Sequence, residues 1–417
     1  MRVFCALVCL FLWLTPALHA ASSRPALPTS AVGNNPNDVR PPAVTPAMRR
    51  YSRNRDILYF VGTAYGMGML WGVLASGLSA RLRTIAERLH WARFWTLLVY
   101  YALLTLALAV IGFPLAFYSG YWLEHQYGLS SQSFGGWLAD RTKSEAVGLA
   151  INVPVLWLVF RLIKKSPRRW ALWLWGALIP LLAFGIFLEP VLIEPLFNKF
   201  TPLPSGPLRT QIHALAAQAG IPDAPISVAD ESRRTNTTNA YVTGIGSTAR
   251  IVIWDTTLKQ LPDDEIVGIV GHEMGHYVEK HILWGFAASV LALLVALPLA
   301  QKVIEWLMRR CGPRWRLRGL DDFATIPVFL LTVSLLSFLA DPLTNGASRY
   351  IEHRADAYGL RVTHNGPAMA RAFVFFARHD LQEPYPPPFV KFWMDTHPPL
   401  GERIDFVMGR KSPGDGE

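Results

Sequence analysis

Long apolar blocks separated by short basic loops dominate the chain. They lie near residues 57 to 79, 94 to 118, 146 to 162, 170 to 188, 282 to 300 and 325 to 340. Most approach the roughly 20 residues that a helix needs to cross a bilayer, so the pattern predicts four spans within 57 to 200 and two within 282 to 340. Ahead of them, MRVFCALVCLFLWLTPALHAASS combines one arginine, an apolar run and small residues, which predicts a signal peptide or signal anchor over 1 to 22. Residues 23 to 56 are rich in Pro, Asn and Ser and read as a disordered linker.

The one long polar stretch, 201 to 281, breaks this rhythm. LRTQIHALAAQAGI carries helical spacing, while APISVAD, NAYVTGIG and ARIVIWD are short β-branched and aromatic runs separated by turn residues. A small mixed domain with a sheet is expected here. It ends in LPDDEIVGIVGHEMGHYVEKH, where Pro262, Asp263 and Asp264 mark a helix start. The fold class expected overall is mainly α, a multi-pass membrane protein with a small α+β domain between the fourth and fifth spans.

Composition agrees. Of 417 residues, 51% are hydrophobic and 17% charged, which is too apolar for an ordinary soluble enzyme. The net charge of +10 comes from arginine clusters beside apolar blocks, without any nucleic-acid motif, so no nucleic-acid partner is expected and the bilayer is. Three cysteines, two of them in the N-terminal apolar run, build neither a disulfide framework nor a cysteine metal site.

The chemistry lies in GHEMGHYVEKH. His272 and His276, one turn apart on a helix, project from one face and can share a metal ion. Catalytic zinc uses three protein ligands and an open position for water, and Glu273 is placed to take a proton from that water. The extended pattern HExxHxxGxxH is excluded, because Glu279 and Ile282 occupy its last two defined positions. A third ligand is expected at Glu352 in SRYIEHRAD, with Asp356 one turn on to orient a zinc histidine. Alone, that charged run reads as a solvated helix face; beside HExxH it reads as the rest of the site. His281, His353 and His364 read as interfacial or solvated histidines rather than ligands.

HEMGH, then SRYIEHRAD after one further span, then DTHPPLGERI, resembles the type I CAAX prenyl protease family of integral-membrane zinc metalloproteases. The likeness extends to EPLFNKFTPL, TNAYVTGIG and YWLEHQYGLSSQS and covers nearly all of the chain after residue 57. It implies a chamber walled by membrane helices, with 201 to 281 as the zinc protease domain and 341 to 417 supplying the third ligand and the HPP segment. It implies one Zn²⁺ held by His272, His276 and Glu352, with Glu273 as base. His397 and Arg403 would stabilise the oxyanion, and Asn239 and Ala240 would belong to an edge strand that pairs with an extended peptide.

The three basic loops, Arg81 to Arg93, Arg161 to Arg169 and Lys302 to Arg318, alternate onto one face, which the positive-inside rule places in the cytoplasm. The zinc site then lies on the opposite side of a bacterial inner membrane, whereas Arg49, Arg50, Arg53 and Arg55 speak for the reverse. The expected partner is a peptide or protein, lipid-modified or membrane-associated, cleaved by a monomer. Two alternatives compete with a CAAX-type protease: a quality-control zinc protease acting on misfolded membrane proteins, and a scaffold or channel with a structural metal.

Overall fold

A computed structural model describes residues 37 to 412. The expected segment over 1 to 22 lies outside the described residues. The linker expected up to 56 ends earlier, because helix α1 (Pro46–Ala75) starts at Pro46. Thr45 caps it by accepting a hydrogen bond from the Met48 amide at 3.1 Å, and Pro46 takes the first helical position, where its missing N–H costs nothing. Proline-rich composition masked this start. Arg49, Arg50, Arg53 and Arg55 therefore ride on the first two turns and a half of a helix.

Then follow α2 (Leu78–Glu87), α3 (Arg93–Phe117), α4 (Phe134–Lys165) and α5 (Trp170–Leu188). After the polar domain come α8 (His281–Cys311) and α9 (Ile326–Thr363), and the C-terminal region adds α10 (Gly366–His379) and α11 (Leu400–Val407). Among the described residues, five helices are long and apolar enough to cross a membrane. A pair bent by 50°, Trp170–Ile186 with Glu189–Phe197, makes a sixth crossing when counted as one span. Large apolar side chains such as Val110, Trp173, Leu291 and Val295 stand more than 60% exposed, which fits a lipid-facing surface. Their packed sides meet in a core of Leu70, Leu104, Phe160, Ile326 and neighbouring side chains.

Within the polar domain, β1 (Phe200–Pro202), β2 (Ile226–Ala229), β3 (Ala240–Thr243) and β4 (Arg250–Trp254) form one sheet in the order β1, β2, β4, β3. β1 pairs antiparallel to β2, β2 parallel to β4, and β3 antiparallel to β4 with Ala240 opposite Ile253. The three strands read from the sequence form; β1, inside FNKFTPL, was hidden by its prolines. Helices α6 (Pro207–Gln218) and α7 (Asp263–Val278) cover the sheet, burying Ile212, Leu215, Ile251, Ile253, Ile266 and Val270.

Two junctions position the site. Lys280, left-handed at φ 55°, lets α7 turn directly into the membrane helix α8. The span expected over 325 to 340 does not stop there: α9 continues for 38 residues through Pro342 and carries Glu352 and Asp356 on its polar half.

Candidate active site

Helix α7 starts at Pro262, with Asp263, Asp264 and Glu265 in its first turn, where carboxylates oppose the positive helix end. Arg371 of α10 pairs with Asp264 and, at 3.1 Å, with Glu265, tying that end down. The helix then runs along α9 at close range. A Cβ at Gly275 would lie 2.9 Å from the Ala355 Cα, and one at Gly359 would lie 2.9 Å from the His272 amide nitrogen. Gly271 is as tight, with Thr363 Cγ2 2.8 Å from where its Cβ would be. Glycines four residues apart therefore let the two backbones touch, and this contact brings the histidines of α7 to the carboxylates of α9.

The metal-ligating atoms converge there. His272 Nε2 lies 3.2 Å from His276 Nε2 and 3.2 Å from Glu352 Oε2, and His276 Nε2 lies 3.6 Å from the same oxygen. Tetrahedral ligands about 2.05 Å from a zinc ion stand about 3.4 Å apart, so the spacing suits such an ion. Protonation points the same way. His272 Nδ1 donates to Asp356 Oδ1 at 2.8 Å, which turns Nε2 into the gap. Glu352 Oε2 is buried with no hydrogen-bond partner. Burial alone would lower the His272 pKa, but the Asp356 and Glu352 carboxylates outweigh it and raise it to about 10. A cation in the gap resolves both features, and the three residues fit a divalent metal.

Other expected residues fall around this gap. Glu273, half-buried on the next position of α7, accepts no hydrogen bond and forms no ion pair among the described residues, and its charge acts on Arg403. His397 Nε2 lies 3.3 Å from Glu352 Oε2, while its Nδ1 lies 2.9 Å from the Thr396 hydroxyl. The side chain is 54% open to the space above the ligands, yet the protein packed around it lowers its pKa to about 4, so the ring is neutral at pH 7.

Arg403 lies behind the ligands. Its guanidinium is buried, holds both Asp356 oxygens at 2.8 and 2.7 Å and lies 4.1 Å from the Phe373 ring centre. Through Nε and Nη2 it positions Asp356, and through it His272.

β3 is the sheet edge among the described residues, with Ala240 its first residue and Asn239 just before it. The Asn239 amide donates to Thr257 Oγ1 at 2.8 Å and its carbonyl accepts from the Trp254 amide at 3.0 Å, so its backbone is spent inside the domain. Antiparallel pairing alternates, so the backbone groups of Ala240 and Val242 face outward, unpaired. The Asn239 side chain, half-open and without a hydrogen bond, stays available.

One contributor was missed. His281 is buried, and its Nδ1 lies 3.0 Å from His276 Nδ1, so it backs the second histidine as Asp356 backs the first. A histidine just beyond the end of the motif helix was the available signal. His353 packs on Phe406 and His364 caps α9 in a left-handed conformation, both outside the site.

Residues 202–411 match the sequence profile of peptidase family M48. The chain belongs to peptidase family M48. Residues 31–199 of this M48 peptidase match a second profile, the CAAX prenyl protease N-terminal region with five membrane helices. It is 34% identical to an uncharacterized metalloprotease, YhfN, of Bacillus subtilis, over 91% of this chain and 89% of that protein. It is 30% identical to a CAAX prenyl protease 1 homolog of Oryza sativa over 70% and 68%, and 28% identical to CAAX prenyl protease 1 of Saccharomyces cerevisiae over 87% and 86%. The crystal structure of S. mikatae Ste24p superposes with a TM-score of 0.77 and 24% identity, covering 97% of this chain and 96% of that one. The M48 peptidase is thus an integral-membrane metalloprotease with a membrane helical chamber of the Ste24p-like fold. The scaffold alternative is not favoured.

Proposed function

We propose that this M48 peptidase is a zinc endopeptidase, with one Zn²⁺ held by His272, His276 and Glu352. The observation that carries the reading is the convergence of three ligand atoms within 3.6 Å of one another next to Glu273, whose carboxylate makes no hydrogen bond among the described residues. Bound zinc supplies a Lewis acid that lowers the pKa of a water to about 7 and polarises a carbonyl. Glu273 takes the proton as the water oxygen attacks the peptide carbonyl carbon, and passes it to the amide nitrogen as the C–N bond breaks. The His397 Nε2–H, one ring edge from Glu352, donates to the oxygen on which negative charge develops. Asp356 and His281 hold the two histidines in the required tautomers, with Arg403 behind Asp356.

The substrate enters as a strand. Its backbone pairs with the outward groups of Ala240 and Val242, and the Asn239 side chain adds a contact. Every part comes from one chain, so a monomer suffices. Substrates are membrane-associated or lipid-modified proteins, since the site opens beside membrane helices.

Two measurements test this. Purified protein should contain about one zinc per chain. A chelator should abolish cleavage of a quenched peptide and added zinc should restore it. Changing both His272 and His276 to Ala should remove metal and activity together. Full zinc occupancy in that double variant would sink the assignment.

We further propose that the site faces away from the basic loops, outside the cytoplasm of a bacterium. Reporters fused at Arg88 and at Arg314 should read cytoplasmic, and one at Lys411 should read the other side. A cytoplasmic signal at Lys411 with exported signals at both loops would reverse the orientation.

A further inference from the structure

A concave basic cavity of about 260 Å³ lies at the membrane end of α2, far in sequence from every residue of the active site. Arg81, Thr84, Ile85 and Arg88 follow one another at helical spacing and present one face of α2 to it. Arg316 closes the opposite side from the turn after α8. It is held there by a left-handed backbone, φ 59°, with its side chain lying over Gly77. At the floor is Arg83, 6% exposed, whose Nε is buried without a hydrogen-bond partner.

Charge is unbalanced here. Four guanidinium groups line the cavity and no carboxylate does. Among the described residues, Arg81, Arg88 and Arg316 make no side-chain hydrogen bond or ion pair. The nearby acids are already taken: Glu87 by Arg318 at 2.8 Å, Asp321 by Arg93 at 3.4 Å, and Asp322 by Arg83. A cavity lined by the spare forked donors of Arg81, Arg88 and Arg316 suits an oxyanion, and a phosphate matches guanidinium geometry.

The surroundings identify its source. Ile85, 48% exposed, forms an apolar edge of the cavity. Trp71, Trp91 and Trp95 are also exposed nearby in the chain, and Trp71 stacks edge-on against Trp315 with ring centres 5.1 Å apart. Exposed tryptophans beside apolar spans mark the headgroup level of a bilayer. We propose that this cavity binds the phosphate of an anionic phospholipid, with the glycerol and acyl chains leaving over Ile85. The site is independent of the peptidase reading.

The test is native mass spectrometry of the full chain released from phosphatidylcholine nanodiscs that contain a minor fraction of phosphatidylglycerol. The parent should retain phosphatidylglycerol. Each surface guanidinium contributes roughly fivefold to anionic-lipid binding, so Arg81→Gln/Arg88→Gln/Arg316→Gln should retain on the order of 10²-fold less. A second basic cavity, at residues 165–169, provides the control: Lys165→Gln/Arg168→Gln/Arg169→Gln should retain lipid like the parent. Parental retention by the first triple variant, or equal loss in the control, would overturn the site. The first triple should elute and unfold like the parent; should it misfold, Arg88→Gln alone, on an exposed turn of α2, should still lose roughly fivefold. Inorganic phosphate added to protein in phosphatidylcholine alone distinguishes the two sources of the anion. No retained phosphate is expected, and phosphate retained where phosphatidylglycerol is not would overturn the lipid assignment.

Discussion

Glu273→Gln should keep its metal and still bind peptide, yet turn over on the order of 10²-fold to 10⁴-fold more slowly than the parent. The amide preserves the shape and hydrogen-bonding reach of the side chain but cannot accept the proton released as water attacks. Nothing else should change, because the Glu273 carboxylate makes no hydrogen bond or ion pair whose loss could disturb the fold. His397→Ala gives the comparison. It removes one donor to the developing negative charge and should cost roughly 10²-fold to 10³-fold in kcat, again with metal in place. Metal content, peptide binding and single-turnover rate should be read for both variants. Parental cleavage by a metal-loaded Glu273→Gln protein would mean that another group is the base.

Arg403→Met should have the largest effect on stability. The Asp356 side chain is 1% exposed, and Arg403 satisfies both of its oxygens. Without the guanidinium, a buried carboxylate is left with the His272 imidazole as its partner. Stranding a buried charge in this way costs roughly 3 to 5 kcal/mol. The same change frees the Asp356 carboxylate to rotate, so zinc affinity should fall about 10-fold to 100-fold through His272. Denaturant unfolding and metal titration measure the two losses. The double variant Arg403→Met/Asp356→Leu removes the stranded charge and should recover part of the stability while metal affinity stays low. Unfolding of Arg403→Met at the parental midpoint would contradict this account.

The positions legible in the sequence were those whose geometry is local. His272 with His276, and Glu352 with Asp356, each lie one helical turn apart, so spacing alone put each pair on one face, and the structure brings all four together. What depended on tertiary contact was not legible. Arg403 received an oxyanion role from the resemblance of its segment alone, and its contact with Asp356, 47 residues away on another helix, was not legible. His281 acts through the left-handed turn at Lys280, which folds it back onto His276, and no periodicity announces such a turn. Gly271 and Gly275 did carry a signal, a pair of small residues four apart at the centre of the motif, which marks a face that a neighbouring helix can approach closely. The membrane segments were legible as apolar runs. The continuity of α9 was not, because Pro342 and the polar residues after it look like an end.

That continuity puts the third metal ligand on the same rod as a segment long and apolar enough to cross a membrane. Pro342 removes one backbone hydrogen bond where α9 leaves its apolar half, so the rod bends most easily there, about 15 Å before Glu352. A thicker or thinner membrane changes the tilt of the apolar half, and each 5° of bend carries the Glu352 carboxylate by roughly 1 Å. The glycine contacts lock α7 to α9, so His272 and His276 travel with Glu352, and β3, packed on α7, travels too. A bend at Pro342 would therefore move the three ligands as one unit rather than draw Glu352 away from the two histidines.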